Sequence, residues 1–133
     1  MAAALLRETL QSVYARTRAT TAALCEPLSP AIFKVLQMVL QACQKIGTPV
    51  TVCGEMAGQP RSVLVLYGLG LRRFSMSPAF IPTIKSLLSD VTTAQAERYA
   101  HQVLQLKTSE EIRAYLTARL TEVSSDLTMF DFS

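Results

Sequence analysis

Only two short runs in this sequence read as β-strands, Val50–Cys53 and Arg72–Met76, and a helical segment lies between them. That spacing leaves room for the helical crossover that a parallel pair needs. Val50–Cys53 lacks polar alternation, the pattern of a strand buried on both faces in a parallel sheet. Two parallel strands leave both outer edges unpaired and cannot close on themselves. The sequence therefore predicts a helix-rich α/β unit that is one part of a larger sheet or barrel, or that meets other chains.

The helices follow from local signals. Ser29 and Pro30 open one that runs to about Lys45. In it Ile32, Val35, Leu36, Val39, Leu40 and Cys43 keep the helical period up to the stop at Gly47. Arg61–Tyr67 makes the helix between the strands, and Pro78–Leu88 another, with Pro82 tolerated in its first turns. Thr92 or Thr93 caps the next, to about Leu106. Thr108 then begins a capping box with Glu111, and Ile112, Leu116 and Leu120 form the stripe that follows. Residues 4–16 also fit a helix through Leu5, Leu6, Leu10, Val13 and Tyr14, and the tail from Leu127 is short and acidic with two Phe.

Composition narrows the function classes. Of the 133 residues 17% are charged and the net charge is +3, with both signs interspersed, so no basic stripe points to nucleic acid. No apolar run approaches the roughly 18–20 residues of a membrane span. The three cysteines, Cys25, Cys43 and Cys53, form no CxxC pair and have no histidine cluster beside them. That argues against a zinc site or a disulfide framework, and makes a reducing cytoplasm the simplest compartment.

One cysteine stands apart. Cys53 ends the first strand and is followed by Gly54-Glu55, so a thiol and a carboxylate sit where parallel α/β folds place their chemistry. Cys43 lies on a helical stripe and reads as core. His101, mid-helix among Tyr99, Ala100 and Gln102, reads as a surface or half-buried structural residue. Arg72 and Arg73, before the second strand, read as a solvated rim before an anion contact. Ser75 and Ser77 lie near the mouth of the barrel that such strands would help to form.

Cys53-Gly54-Glu55-Met56-Ala57-Gly58 resembles the Cys-Gly-Glu-x-x-Gly signature of the phosphoenolpyruvate-utilising enzymes. Pro27-Leu28-Ser29-Pro30-Ala31-Ile32, Gly68-Leu69-Gly70-Leu71, Phe74-Ser75-Met76-Ser77 and Ile81-Pro82 with Ile84-Lys85 extend the resemblance in one register over residues 24–120. The Ser-Met-Ser block and the C-terminal helices resemble the phosphoenolpyruvate–protein phosphotransferases, enzyme I of the bacterial phosphotransferase system, or its nitrogen-related or multiphosphoryl relatives. The same signature occurs in pyruvate phosphate dikinase and phosphoenolpyruvate synthase. Gln59 stands where the family more often has Asp.

The resemblance implies that residues 24–133 are the C-terminal part of a (β/α)8 barrel, supplying about its last two strands and the helices around them, with residues 1–23 an unmatched segment. A full barrel takes on the order of 200 residues or more. It implies Cys53 as the acid/base at the methylene carbon of enolpyruvate, a role suited to a thiol, whose ordinary pKa of about 8.5 is within reach of neutral pH. Gly54 and Glu55 are implied beside the substrate, the carboxylate orienting the thiol, holding a backbone amide or capping the turn. Further implications are phosphoenolpyruvate and pyruvate as ligands, the phosphocarrier protein HPr as acceptor, homo-oligomerisation, and Mg2+ held by residues outside this chain. With the magnesium carboxylates and phosphate-clamping arginines missing, the chain alone is expected to be inactive. The competing expectation is a non-catalytic association module.

Overall fold

A computed structural model describes residues 28–123. The helix expected over 4–16, Cys25 and the acidic tail lie outside the described residues. In chain order the elements are α1 (Pro30–Lys45), β1 (Val52–Cys53), α2 (Glu55–Gly58), α3 (Pro60–Gly68), β2 (Phe74–Ser75), a 3₁₀ turn (Pro78–Phe80), α4 (Ile81–Asp90), α5 (Thr93–Gln105) and α6 (Ser109–Val123). β1 and β2 pair in parallel, Val52 opposite Phe74 and Cys53 opposite Ser75. The expected helix-rich α/β arrangement with a parallel pair is what forms.

Both strands are shorter than their apolar runs. The expected strands Val50–Cys53 and Arg72–Met76 contract to two residues each. Each has one neighbour among the described residues, and beyond the paired residues no second ladder holds the flanking backbone. The Gly-Glu turn is itself a short helix, α2, and the helix expected from Pro78 divides into the 3₁₀ turn and α4, with Pro82 in the first turn of α4.

α3 is the centre of the fold. Val63, Leu64, Val65 and Leu66 are all fully buried, so the helix is apolar all round because it is covered all round. One side of it joins Phe33, Leu87, Ala96, Ala100, Val103, Ile112, Leu116 and Leu120, from α1, α4, α5 and α6. The other joins Leu40 and Leu71, with Val50, Val52, Met56 and Phe74 packed against them. The sheet thus rests on α1 and α3 through the second cluster.

α1 departs from its sequence pattern. Phe33 and Leu40 are its buried residues, whereas Val35 and Val39 are 57% and 45% exposed, and Met38 and Ile46 more so. The apolar stripe is wider than the surface that the described residues offer, so one flank of it has nothing to pack on among them. Both helix caps expected after α4 form. Thr92 Oγ1 accepts from the Gln95 N–H at 3.2 Å while Gln95 Oε1 accepts from the Thr92 N–H at 2.9 Å. Thr108 Oγ1 accepts from the Glu111 N–H at 3.2 Å, and Glu111 Oε2 accepts from the Thr108 N–H at 3.3 Å and the Lys107 N–H at 2.9 Å.

Candidate active site

The faces of the two-stranded sheet differ. Val52 and Phe74 pack toward the Leu40, Leu66 and Leu71 cluster, on the helix side. Successive strand residues point to opposite faces, so Cys53 and Ser75 share the face away from the helices. Both are exposed there, and they are register partners. A thiol and a hydroxyl are therefore neighbours at the carboxyl ends of two parallel strands.

Gly54 sets the direction of the chain after the thiol. Its φ of 87° and ψ of −163° fall in a region that is essentially glycine's alone, and they swing the backbone from β1 into α2. The Ala57 N–H donates to the Gly54 carbonyl at 3.1 Å, which closes the turn. Glu55 stands exposed in the first turn of α2, where a carboxylate faces the positive end of the helix dipole. It makes no ion pair or hydrogen bond among the described residues. On the far side of the loop the Phe80 ring covers Gly58, so the 3₁₀ turn after β2 leans on α2.

The arginines that precede β2 do not join Cys53. Arg72 donates through Nη1 to the Tyr67 carbonyl at 2.7 Å and the Leu71 carbonyl at 2.9 Å. Its guanidinium also lies 4.3 Å from the centroid of the Tyr67 ring. It serves the C-terminus of α3, a structural role where the sequence suggests a solvated rim. Arg73 lines a cavity of about 250 Å³ with Leu40, Cys43, Gln44, Thr48 and Val50 among others. That cavity lies at the amino ends of the strands, the opposite end from Cys53. Cys43, read as core, is only half-buried at its edge. His101 is exposed on α5.

Among the described residues no three His, Cys, Asp or Glu side chains converge to hold a metal ion, and no helix is long and apolar enough to cross a membrane. What the site offers is one exposed thiol, a neighbouring hydroxyl and a nearby carboxylate, a set suited to moving a proton. The pairing of Cys53 with Ser75 is the feature that local pattern does not reveal. Both serines of the Phe-Ser-Met-Ser run are visible in the sequence, but only the strand register selects Ser75.

The family profile described as PEP-utilising enzyme, PEP-binding domain matches residues 8–93, beginning upstream of the Pro-rich turn. A phosphoenolpyruvate-protein phosphotransferase of Bacillus subtilis is 37% identical over 93 residues, 70% of this chain and 16% of that protein. One of Cupriavidus necator is 39% identical over 93 residues, again 70% and 16%. Multiphosphoryl transfer protein 1 of Escherichia coli K12 is 34% identical over 110 residues, 81% of this chain and 13% of that protein. The chain thus spans about a sixth or less of the length of these curated relatives. With the profile covering well over half of its residues, the chain belongs to the PEP-utilising enzymes, through their PEP-binding domain.

Proposed function

We propose that this chain carries the acid/base end of a phosphoenolpyruvate site and acts as the C-terminal part of a phosphoenolpyruvate–protein phosphotransferase. The observation that carries the reading is the exposed Cys53 thiol at the carboxyl end of β1, on the face turned away from the described helices, inside the Cys-Gly-Glu segment. In this reading β1 and β2 are the last two strands of a (β/α)8 barrel, and the face bearing Cys53 and Ser75 looks into it.

The chemistry assigned to these residues is a proton transfer. When the phosphoryl group leaves phosphoenolpyruvate, the enolate of pyruvate remains. The S–H bond of Cys53 breaks as a C–H bond forms at the methylene carbon, which yields pyruvate and leaves a thiolate. In reverse, the thiolate takes a methyl proton. Glu55 adds an exposed carboxylate in the first turn of α2, two residues from the thiol, and Gly54 lets the thiol and α2 share one turn. Magnesium belongs to the family's phosphoryl transfer, and the described residues do not fit it, so no step here passes through it. The phosphoryl acceptors, a protein histidine and then HPr, are assigned to parts of the assembly other than these residues. The chain alone is accordingly inactive, and its compartment the cytoplasm.

A chimera tests the proposal: residues 24–120 replace the corresponding stretch of a phosphoenolpyruvate-protein phosphotransferase. The expected result is phosphorylation of HPr by the chimera and not by the 133-residue chain. A folded chimera that transfers nothing would overturn the assignment.

A second reading, a non-catalytic association module, is favoured by one observation. Val35, Met38, Val39 and Ile46 leave the flank of α1 apolar and exposed. Sedimentation of the chain, with Met38→Glu beside it, tests this. Self-association lost in the variant supports a module, and a monomer in both sets that reading aside.

A further inference from the structure

The parallel register sets Ser75 directly beside Cys53, on the same face and at the same height along the sheet. Adjacent strands lie about 4.8 Å apart, so the backbones that carry the hydroxyl and the thiol stand one strand spacing from each other. Beyond the backbone ladder, the Ser75 side chain makes no hydrogen bond among the described residues. Three helix hydroxyls, by contrast, are engaged with the backbone of their own helices. Ser89 donates to the Lys85 carbonyl at 2.8 Å, Thr117 to Arg113 at 2.8 Å and Thr121 to Thr117 at 2.9 Å. The Ser75 hydroxyl is thus an exposed donor with no partner among the described residues, on the strand beside Cys53.

Neither the neighbouring carboxylate nor the arginine before β2 offers that donor. The Glu55 carboxylate, when ionised, only accepts, and repels an anion. The Arg72 guanidinium is held by the Tyr67 and Leu71 carbonyls. In an enolate of pyruvate, C3 and the oxygen on C2 are two bonds apart, and the carboxylate is attached at C2. A thiol working at C3 therefore leaves an anionic oxygen within reach of a donor one strand away.

We propose that Ser75 is a second substrate-contacting residue. Its hydroxyl donates a hydrogen bond to the C2 oxygen or carboxylate of a three-carbon 2-oxo acid or its enolate while Cys53 acts at the methylene. The inference rests on the reading of Cys53 given above, but its test does not need turnover. A donor aimed at an oxygen that gains charge strengthens as the enolate forms, so it acts on the reaction as well as on binding.

The test compares two alkylating reagents at Cys53, read peptide by peptide by mass spectrometry on the full chain. With 3-bromopyruvate the Cys53 sulfur attacks C3, a C–S bond forms, and bromide leaves. Iodoacetamide alkylates the same sulfur with loss of iodide but lacks the 2-oxo acid. The readout is the ratio of the two rates at Cys53, divided by the same ratio for free cysteine. We expect a ratio about fivefold above free cysteine in the wild type, retained in Ser75→Thr and abolished in Ser75→Ala, with iodoacetamide rates unchanged. A ratio that survives in Ser75→Ala would overturn the role of Ser75 and leave that of Cys53 standing. A wild-type ratio equal to that of free cysteine would overturn both. Equal slowing with both reagents in Ser75→Ala would place the effect on the thiol or the fold, and also overturn the proposal.

Discussion

Gly68, the last residue of α3, lies against the backbone carbonyl of Ala96 in α5, so closely that a Cβ on Gly68 would overlap that oxygen. The Ala100 methyl stands 2.9 Å from the same point. The helix pair at the centre of the core is thus set by a missing side chain. Gly68→Ala must push the helices apart, since the obstacle is backbone. We expect a loss of about 3 kcal/mol in urea unfolding, at the upper end of overpacking costs. A loss below about 0.5 kcal/mol would show that the helices do not approach so closely.

Gly54 controls the thiol through backbone geometry. Any other residue there would be held in a conformation costing on the order of 1–3 kcal/mol. Gly54→Ala is expected to lower stability by that amount or to turn the loop and change the rate of iodoacetamide labelling at Cys53. Unchanged stability together with unchanged labelling would contradict the strained turn.

The cap at Thr92 joins α4 to α5. Thr92→Ala removes the acceptor of the Gln95 N–H, and about 1 kcal/mol of stability should go with it. Thr92→Ser, which keeps the hydroxyl, is expected to lose far less. Chemical denaturation of the two variants side by side reads the difference.

Tyr115 gives the fold an alkaline limit. Burial pushes its hydroxyl above the usual tyrosine range, against the opposing pull of Arg119, whose guanidinium lies 5.4 Å from the ring centroid. Tyr99 meets the ring edge-on at 6.5 Å. Because the folded-state pKa is raised, the unfolded chain ionises first as pH climbs. The contribution is fully present below the unfolded value of about 10 and is lost as pH rises through the folded one. Stability measured between pH 8 and 11 should fall less steeply in Tyr115→Phe than in the wild type. Identical slopes would mean the ring is not desolvated.

Much of this was legible in the sequence because the signals are local. Ser29-Pro30, the Thr108–Glu111 box and the apolar stripe of α6 each specify their helix within a few residues, and Cys53 is marked by the glycine and carboxylate beside it. The rest depends on partners distant in sequence. Val35 and Val39 share the period of Leu36 and Leu40, and only the position of α3 decides which of them is covered. Strand length follows from how many neighbours a strand has, which an apolar run does not state. The choice of Ser75 over Ser77 needed a register between segments some twenty residues apart, set by the packing of Val52 and Phe74 on one cluster. Arg72 looked available until the carbonyls at the end of α3 were seen to hold it.

The central claim is that Cys53 moves the proton at the methylene carbon, and isotope exchange tests it most directly. Pyruvate is incubated in D2O with the chimera described above and magnesium, and the methyl signal is followed by proton NMR beside a Cys53→Ala control. The account predicts exchange with Cys53 present and a rate at least about a hundredfold lower in the alanine variant. Equal exchange in the two proteins, both folded by circular dichroism, would contradict it.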